Sequence, residues 1–179
     1  MTKAPDMLAK LTLVLGGAAS GKSAFAEQVI FATGAPRVYI ATAQVYDDEM
    51  RIKVADHLKM RGSDWETHET PLDPTAALAS VTSDQVVLFD CATMWLSNHM
   101  LAQHDLAQKT DQMIAAFSAC KGRVVVVSNE VGMGIVPDNK LARQFRDAQG
   151  KLNQRLAAVA DTAIFVIAGL PQVLKGTLP

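Results

Sequence analysis

Residues 11–23 read Leu11-Thr12-Leu13-Val14-Leu15-Gly16-Gly17-Ala18-Ala19-Ser20-Gly21-Lys22-Ser23. An apolar, β-branched run of strand type passes directly into the pattern G-x-x-x-x-G-K-[ST], and residues 22–32 continue at helical spacing. Strand, glycine-rich turn and helix, in that order, are the context in which this pattern holds nucleotide phosphates. Gly16, Gly17, Ala18, Ala19, Ser20 and Gly21 are small enough for consecutive backbone N–H groups to turn inward, and the helix adds its positive N-terminal end. Lys22 is then placed to neutralise the β- and γ-phosphates, and Ser23 to offer an oxygen to Mg2+. The plainer alternative is a glycine-rich turn beside an exposed lysine.

Outward from this stretch, short aliphatic runs at residues 38–41, 86–89, 124–128 and 163–167 repeat the strand signal, each too apolar to have a solvated face. Longer segments lie between them: Asp73-Pro74 marks a helix start, and residues 139–160 carry apolar side chains at helical spacing. The alternation predicts an α/β domain of the P-loop, RecA-like kind, with a mainly parallel central sheet and helices on both faces. A length of 179 residues fits one such domain, spanning residues 1–179. A formal net charge of −1 argues against a nucleic-acid partner, so any bound anion must be held locally. No apolar run approaches the roughly 20 residues of a membrane span, and the first ten residues lack the apolar core of a secretory signal. A cytoplasmic protein is expected. Cys91 and Cys120 have no metal-knuckle or disulfide spacing and are expected to be buried free thiols. The segments least like βα units, residues 43–71 and 129–138, follow strands, where loops of open α/β sheets carry ligands.

Two acids stand at strand ends. Asp90 closes the run Gln85-Val86-Val87-Leu88-Phe89-Asp90, where P-loop proteins present a carboxylate toward the metal; the alternative is an N-cap for residues 92–100. Glu130 follows residues 124–128 in Asn129-Glu130-Val131-Gly132-Met133-Gly134, and could orient a hydroxyl nucleophile or pair with Arg143 or Arg146. Residues 47–61 can be helical, with Met50, Val54, His57, Leu58 and Arg61 along one side. A neutral imidazole at His57 is a competent nucleophile near pH 7, with Arg61 one turn away to clamp a phosphate. By spacing alone His57 is more readily an ordinary half-buried helical histidine. His68, His99 and His104 lack such a setting and are expected at the surface.

On several separate blocks the chain resembles the bifunctional adenosylcobinamide kinase / adenosylcobinamide-phosphate guanylyltransferase family of cobalamin biosynthesis. The blocks are the P-loop, Tyr39-Ile40-Ala41-Thr42-Ala43-Gln44, Asp47-Asp48-Glu49-Met50 with His57, Arg61 and Trp65, and Asn129 to Pro137. Further matches are Leu141-Ala142-Arg143, Phe145-Arg146-Asp147 and Asn153-Gln154-Arg155-Leu156-Ala157. The resemblance implies phosphorylation of adenosylcobinamide with ATP or GTP. It also implies transfer of GMP from GTP, through a phosphoramidate on His57, to give adenosylcobinamide-GDP. Lys22 and Glu130 join His57 as catalytic candidates, Ser23 and Asp90 as Mg2+ ligands. Nucleotide contacts carry over to Gly16 through Ser23, Ala41, Thr42, Ala43, Leu58, Lys59, Met60, Arg61, Glu69 and Asp90. A trimer is likewise implied by resemblance alone. Ala19 stands where many relatives carry a basic residue, and Asp90 where some carry Glu; both changes keep the backbone cradle and the acidic charge. A plain P-loop kinase with a structural His57, or a P-loop ATPase acting as a switch, are the competing readings.

Overall fold

The computed structural model describes residues 8–44 and 64–178. The expected helix over residues 47–61, with His57, Leu58, Lys59, Met60 and Arg61, therefore lies outside the described residues. Within them the chain runs β1 (Leu11–Gly16), α1 (Lys22–Ala32), β2 (Arg37–Ala41), β3 (Trp65–Glu69), α2 (Thr75–Ser80), β4 (Val86–Asp90), α3 (Ala92–Leu101), α4 (Leu106–Ala119), β5 (Arg123–Asn129), α5 (Lys140–Val159), β6 (Thr162–Ile167) and β7 (Leu170–Lys175). One sheet takes all seven strands in the order β3-β2-β4-β5-β1-β6-β7. Every pairing is parallel except β6 with β7.

All five strands expected from the sequence are internal, which is why they read as continuous apolar runs. Alternate residues divide the core. Leu13, Val38, Ile40, Val87, Phe89, Val124 and Val126 face α2, α3, α4 and α5 through Leu78, Trp95, Phe117, Leu152 and Leu156. Val14, Leu88, Val125, Val127 and Ile164 face α1 through Ala26 and Ile30. Helices thus cover both sheet faces, as expected. Phe89 is fully buried and meets Phe117 edge-to-face at 5.1 Å. Local signals set the helix starts: Asp105 Oδ1 accepts from Ala107 N and Gln108 N at 2.9 and 3.1 Å, and Asn139 Oδ1 from Ala142 N at 2.7 Å. Just past the other end of α4, Lys10 Nζ donates to the carbonyls of the C-cap Cys120 and of Lys121 and Gly122.

The two edge strands were not expected. β3 falls inside the segment read as irregular, because Trp65-Glu66-Thr67-His68-Glu69 pairs on one side only and is half-exposed. β7 is an edge strand containing Pro171, joined to β6 by the two-residue turn Ala168-Gly169, both with positive φ (53° and 77°). His99 corrects another expectation: it is 1% exposed, with Nε2 3.0 Å from the Leu72 carbonyl and Nδ1 2.8 Å from His104 Nδ1. Its place on the inner face of α3, against Trp95, decides its burial. Both cysteines are buried and free, and no helix among the described residues is long and apolar enough to cross a membrane.

Phe89→Ala is expected to destabilise the protein by about 3–5 kcal/mol and Asp105→Ala by about 1 kcal/mol. Urea titration followed by far-UV circular dichroism checks both, and equal losses would contradict this division between core and cap.

Candidate functional site

Five neighbouring parallel strands end on one edge of the sheet. The register pairs Gly16 with Asn129, Ala41 with Glu69, and Ala41 with Asp90, so the ends of β1, β2, β3, β4 and β5 stand side by side. Glu130 is tied to the same edge by a 3.0 Å bond from its N–H to the Gly16 carbonyl. The sequence-derived candidates Gly16, Ala41, Glu69, Asp90 and Glu130 are thus brought together by backbone pairing alone.

The glycine-rich loop is wound by its own bonds. Ser20 N–H reaches the Gly17 carbonyl at 3.3 Å, Ala19 takes φ 54° and Gly21 φ 92°. Gly21 is required twice over, because a Cβ there would also lie 3.0 Å from Gly169 Cα. The turn after β6 buttresses the loop, with Gly169 N–H on the Ser20 carbonyl at 2.8 Å. α1 starts at Lys22 with no side-chain cap and no acid in its first turn, which leaves its first N–H groups to an anion. Lys22 Nζ sits 3.0 Å from the Gly17 carbonyl, inside the turn of the loop. Burial lowers its pKa from the ordinary lysine value, against the opposing charges of Cys91 and Asp90. Burial also pushes the Cys91 thiol up to about 12, so at neutral pH Asp90 is the working counter-charge. Ser20 Oγ is buried without a partner among the described residues.

Asp90 does not cap α3. The cap position is Cys91, without a side-chain bond, and Asp90 Oδ2 instead accepts from the Tyr39 hydroxyl at 2.9 Å. Thr42 is fully buried and committed to the fold. Its Oγ1 donates to the Cys91 carbonyl and accepts from Cys91 N–H, both at 2.8 Å, while its carbonyl accepts from Asn98 Nδ2 at 2.8 Å. Ala41 and Ala43 flank it as small, half-buried residues. Glu69 is exposed at the end of β3.

Glu130 pairs with neither arginine that the sequence offered. Its Oε1 accepts from Gly132 N–H, whereas Arg146 Nη2 donates to the Gly132 carbonyl at 2.6 Å and Arg143 Nη1 to those of Pro137 and Asp138 at 2.9 and 2.6 Å. The arginines shape the loop and leave the carboxylate to the site. Sequence reasoning did not find Tyr39, Thr93 or Gly169. Each acts through a partner distant in the chain, and only the pairing register brings them together. The arrangement can hold a nucleoside polyphosphate in the backbone loop, with one lysine and two carboxylates along its edge.

The family model described as cobinamide kinase / cobinamide phosphate guanyltransferase matches residues 12–174. The chain is 42% identical to the bifunctional adenosylcobalamin biosynthesis protein CobU of Salmonella typhimurium, with 92% of this chain and 99% of that protein covered. It is 41% identical to the bifunctional adenosylcobalamin biosynthesis protein CobP of Pseudomonas aeruginosa, covering 92% and 96%. Among solved structures, a Pyrococcus horikoshii protein superposes with a TM-score of 0.57 at 8% identity, covering 94% of this chain and 88% of that one. An ATPase from a type III secretion system superposes with a TM-score of 0.52 at 9% identity, covering 93% and 57%. These two likenesses bear on the fold alone and agree with the RecA-like α/β class.

A Cβ at position 16 would lie 2.8 Å from the Val166 carbonyl oxygen and collide with Ser20 Oγ. Such overpacking costs about 1–3 kcal/mol. Gly16→Ala should therefore weaken ATP binding about 5- to 150-fold in a fluorescent-nucleotide titration. Unchanged affinity would mean that nucleotide binds elsewhere. Cys91, buried and titrating near 12, should escape iodoacetamide at pH 8 in the native protein and react once urea unfolds it; alkylation of the native protein would contradict its placement.

Proposed function

This chain belongs to the cobinamide kinase / cobinamide phosphate guanyltransferase family, and from that premise we propose that one P-loop domain runs both reactions by the following division of roles. The observation that carries the reading is the convergence of the glycine-rich loop, Asp90 and Glu130 on one sheet edge in a chain matched to the family almost throughout. In the kinase step the hydroxyl oxygen of adenosylcobinamide attacks the γ-phosphorus of ATP or GTP. The bond from phosphorus to the bridging oxygen breaks, the nucleoside diphosphate leaves, and Glu130 takes the hydroxyl proton. Lys22 and the loop N–H groups offset the charge that builds on the leaving oxygens.

In the second reaction His57 attacks the α-phosphorus of GTP, and pyrophosphate leaves. A phosphate oxygen of adenosylcobinamide phosphate then displaces the histidine, giving adenosylcobinamide-GDP and free His57. Arg61 clamps the transferred phosphate, and Leu58, Lys59, Met60, Glu69 and the segment Ala41-Thr42-Ala43 line the nucleotide. Because the Thr42 hydroxyl, N–H and carbonyl are all engaged within the fold, that segment serves through its small neighbours Ala41 and Ala43. Ser23 and Asp90 are oxygen donors, which suit a hard cation, and among the described residues no group of three or more His, Cys, Asp or Glu could hold a metal. Mg2+ bound there would complete its shell with phosphate oxygens and water and offset phosphate charge. A trimer in the cytoplasm belongs to the same proposal.

Intact mass after incubation with GTP and Mg2+ should show an acid-labile GMP adduct on the wild type and none on His57→Ala. No adduct on either, with GTP binding demonstrated, would leave a kinase in which His57 is structural. Glu130→Gln is expected to lower the kinase kcat about 100- to 10,000-fold while the GMP adduct still forms. If neither Glu130→Gln nor Asp90→Asn slows phosphorylation, the assignment of a carboxylate to the hydroxyl proton is wrong.

A further inference from the structure

A cluster of polar side chains lies buried between the sheet and α5, where aliphatic residues would ordinarily pack. Ser128 and Gln149 are fully buried and Asn153 is 7% exposed. Ser128 Oγ donates to Asn153 Oδ1 at 2.7 Å, and Gln149 Nε2 donates to Ser128 Oγ and Asn153 Oδ1 at 3.0 and 2.9 Å. Gln149 Oε1 is buried with no partner among the described residues. A half-satisfied buried network is a poor source of stability, since the stranded acceptor forfeits its hydration. Its use must lie in what it holds.

What it holds is the end of β5. Asn153 Nδ2 donates to the Asn129 carbonyl at 3.0 Å. Thr93 Oγ1 in α3 accepts the Asn129 N–H at 2.8 Å, replacing the ladder bond that β4 can no longer supply after Asp90. The next residue, Glu130, is fixed by its N–H on Gly16. Beyond it Val131, Met133, Ile135 and Val136 are all exposed. Glu130 is therefore the last residue bonded to the sheet before a solvent-facing loop, and three elements hold the two-residue platform from which its carboxylate projects.

We propose that Asn153, supported by Gln149 and Ser128 and joined on Asn129 by Thr93, is a positioning residue for Glu130 in phosphoryl transfer. The inference rests on the base role proposed for Glu130. Asn153 touches neither nucleotide nor acceptor; it fixes the peptide that aims the carboxylate. Misaligning a reacting group by about an ångström costs on the order of 100-fold in rate, whereas replacing a buried polar cluster by apolar side chains of similar volume leaves a fold as stable or more so.

The test uses two variants of the full chain. Ser128→Ala/Gln149→Leu/Asn153→Leu makes the cluster apolar, and Asn153→Asp keeps its shape while turning an oxygen toward the Asn129 carbonyl. Each is expected to lower kinase kcat about 100-fold with ATP affinity held, and the apolar variant also to keep its Tm. Asn153→Gln, which keeps the donor, should recover part of the rate. In a Glu130→Gln background neither variant should slow the reaction further. Full kcat in the triple variant overturns the proposal, as does an undiminished loss in the Glu130→Gln background, or loss of the fold in both variants. If Glu130→Gln alone keeps wild-type kcat, the base role itself fails, an outcome distinct from a slow Glu130→Gln enzyme beside fast cluster variants.

Discussion

The parallel pairing of β1 with β5 is the contact on which the rest of the site depends. Six consecutive residues from Leu11 with Val124 to Gly16 with Asn129 are in register, and the pairing is continued by Glu130 N–H on the Gly16 carbonyl. A slip of β1 by one residue would turn Val14 away from the α1 face and Leu13 toward it, exchanging the two core sets of that strand. It would also move Glu130 away from the residue that opens the phosphate loop. Hydrophobic sorting of alternate side chains thus sets the position of a carboxylate to the accuracy of a hydrogen-bonded ladder.

Around that pairing, polar side chains near the edge serve the backbone more often than they face the ligand. Thr42 ties the end of β2 to Cys91, Asn98 ties Thr42 and Pro71 to α3, and Thr93 with Asn153 clamps Asn129. A P-loop presents backbone N–H groups to phosphate, so its selectivity depends on main-chain placement. Lys22 is the exception, a half-buried ammonium that spends its reach on the Gly17 carbonyl. Burial lowers its pKa, which raises the value of any anion that enters the loop.

Fold and site were legible to different depths. The five internal strands announced themselves because burial on both faces leaves no polar alternation, and the loop residues 16–23 because strand and helix flank them. β3 and β7 were illegible for the converse reason: an edge strand bonds on one side, tolerates Glu66, Thr67 or Pro171, and gains its order from β2 or β6. Asp90 and Glu130 could be read as strand-end acids, yet their partners could not. Tyr39 lies 51 residues from Asp90, and Asn153 lies 24 from Asn129. His99 was misread because α3 presents His99 and Trp95 on one inner face, where burial depends on the loop carrying Leu72.

The two acids differ in how they are held, and that difference bears on their chemistry. Asp90 is restrained at the carboxylate itself, with one oxygen on the Tyr39 hydroxyl and its charge acting on Lys22. A carboxylate held by a hydroxyl donor and facing an ammonium is fixed in place, which suits a lasting electrostatic or metal-binding duty. Glu130 is restrained mainly through the main chain that precedes it, with one oxygen on Gly132 N–H within the loop, while Arg143 and Arg146 spend their bonds on loop carbonyls. Such a group can take a proton from a substrate hydroxyl and release it to solvent without dismantling an ion pair. In the proposed division of roles, the transient proton of phosphoryl transfer therefore falls to Glu130 and the standing charge to Asp90.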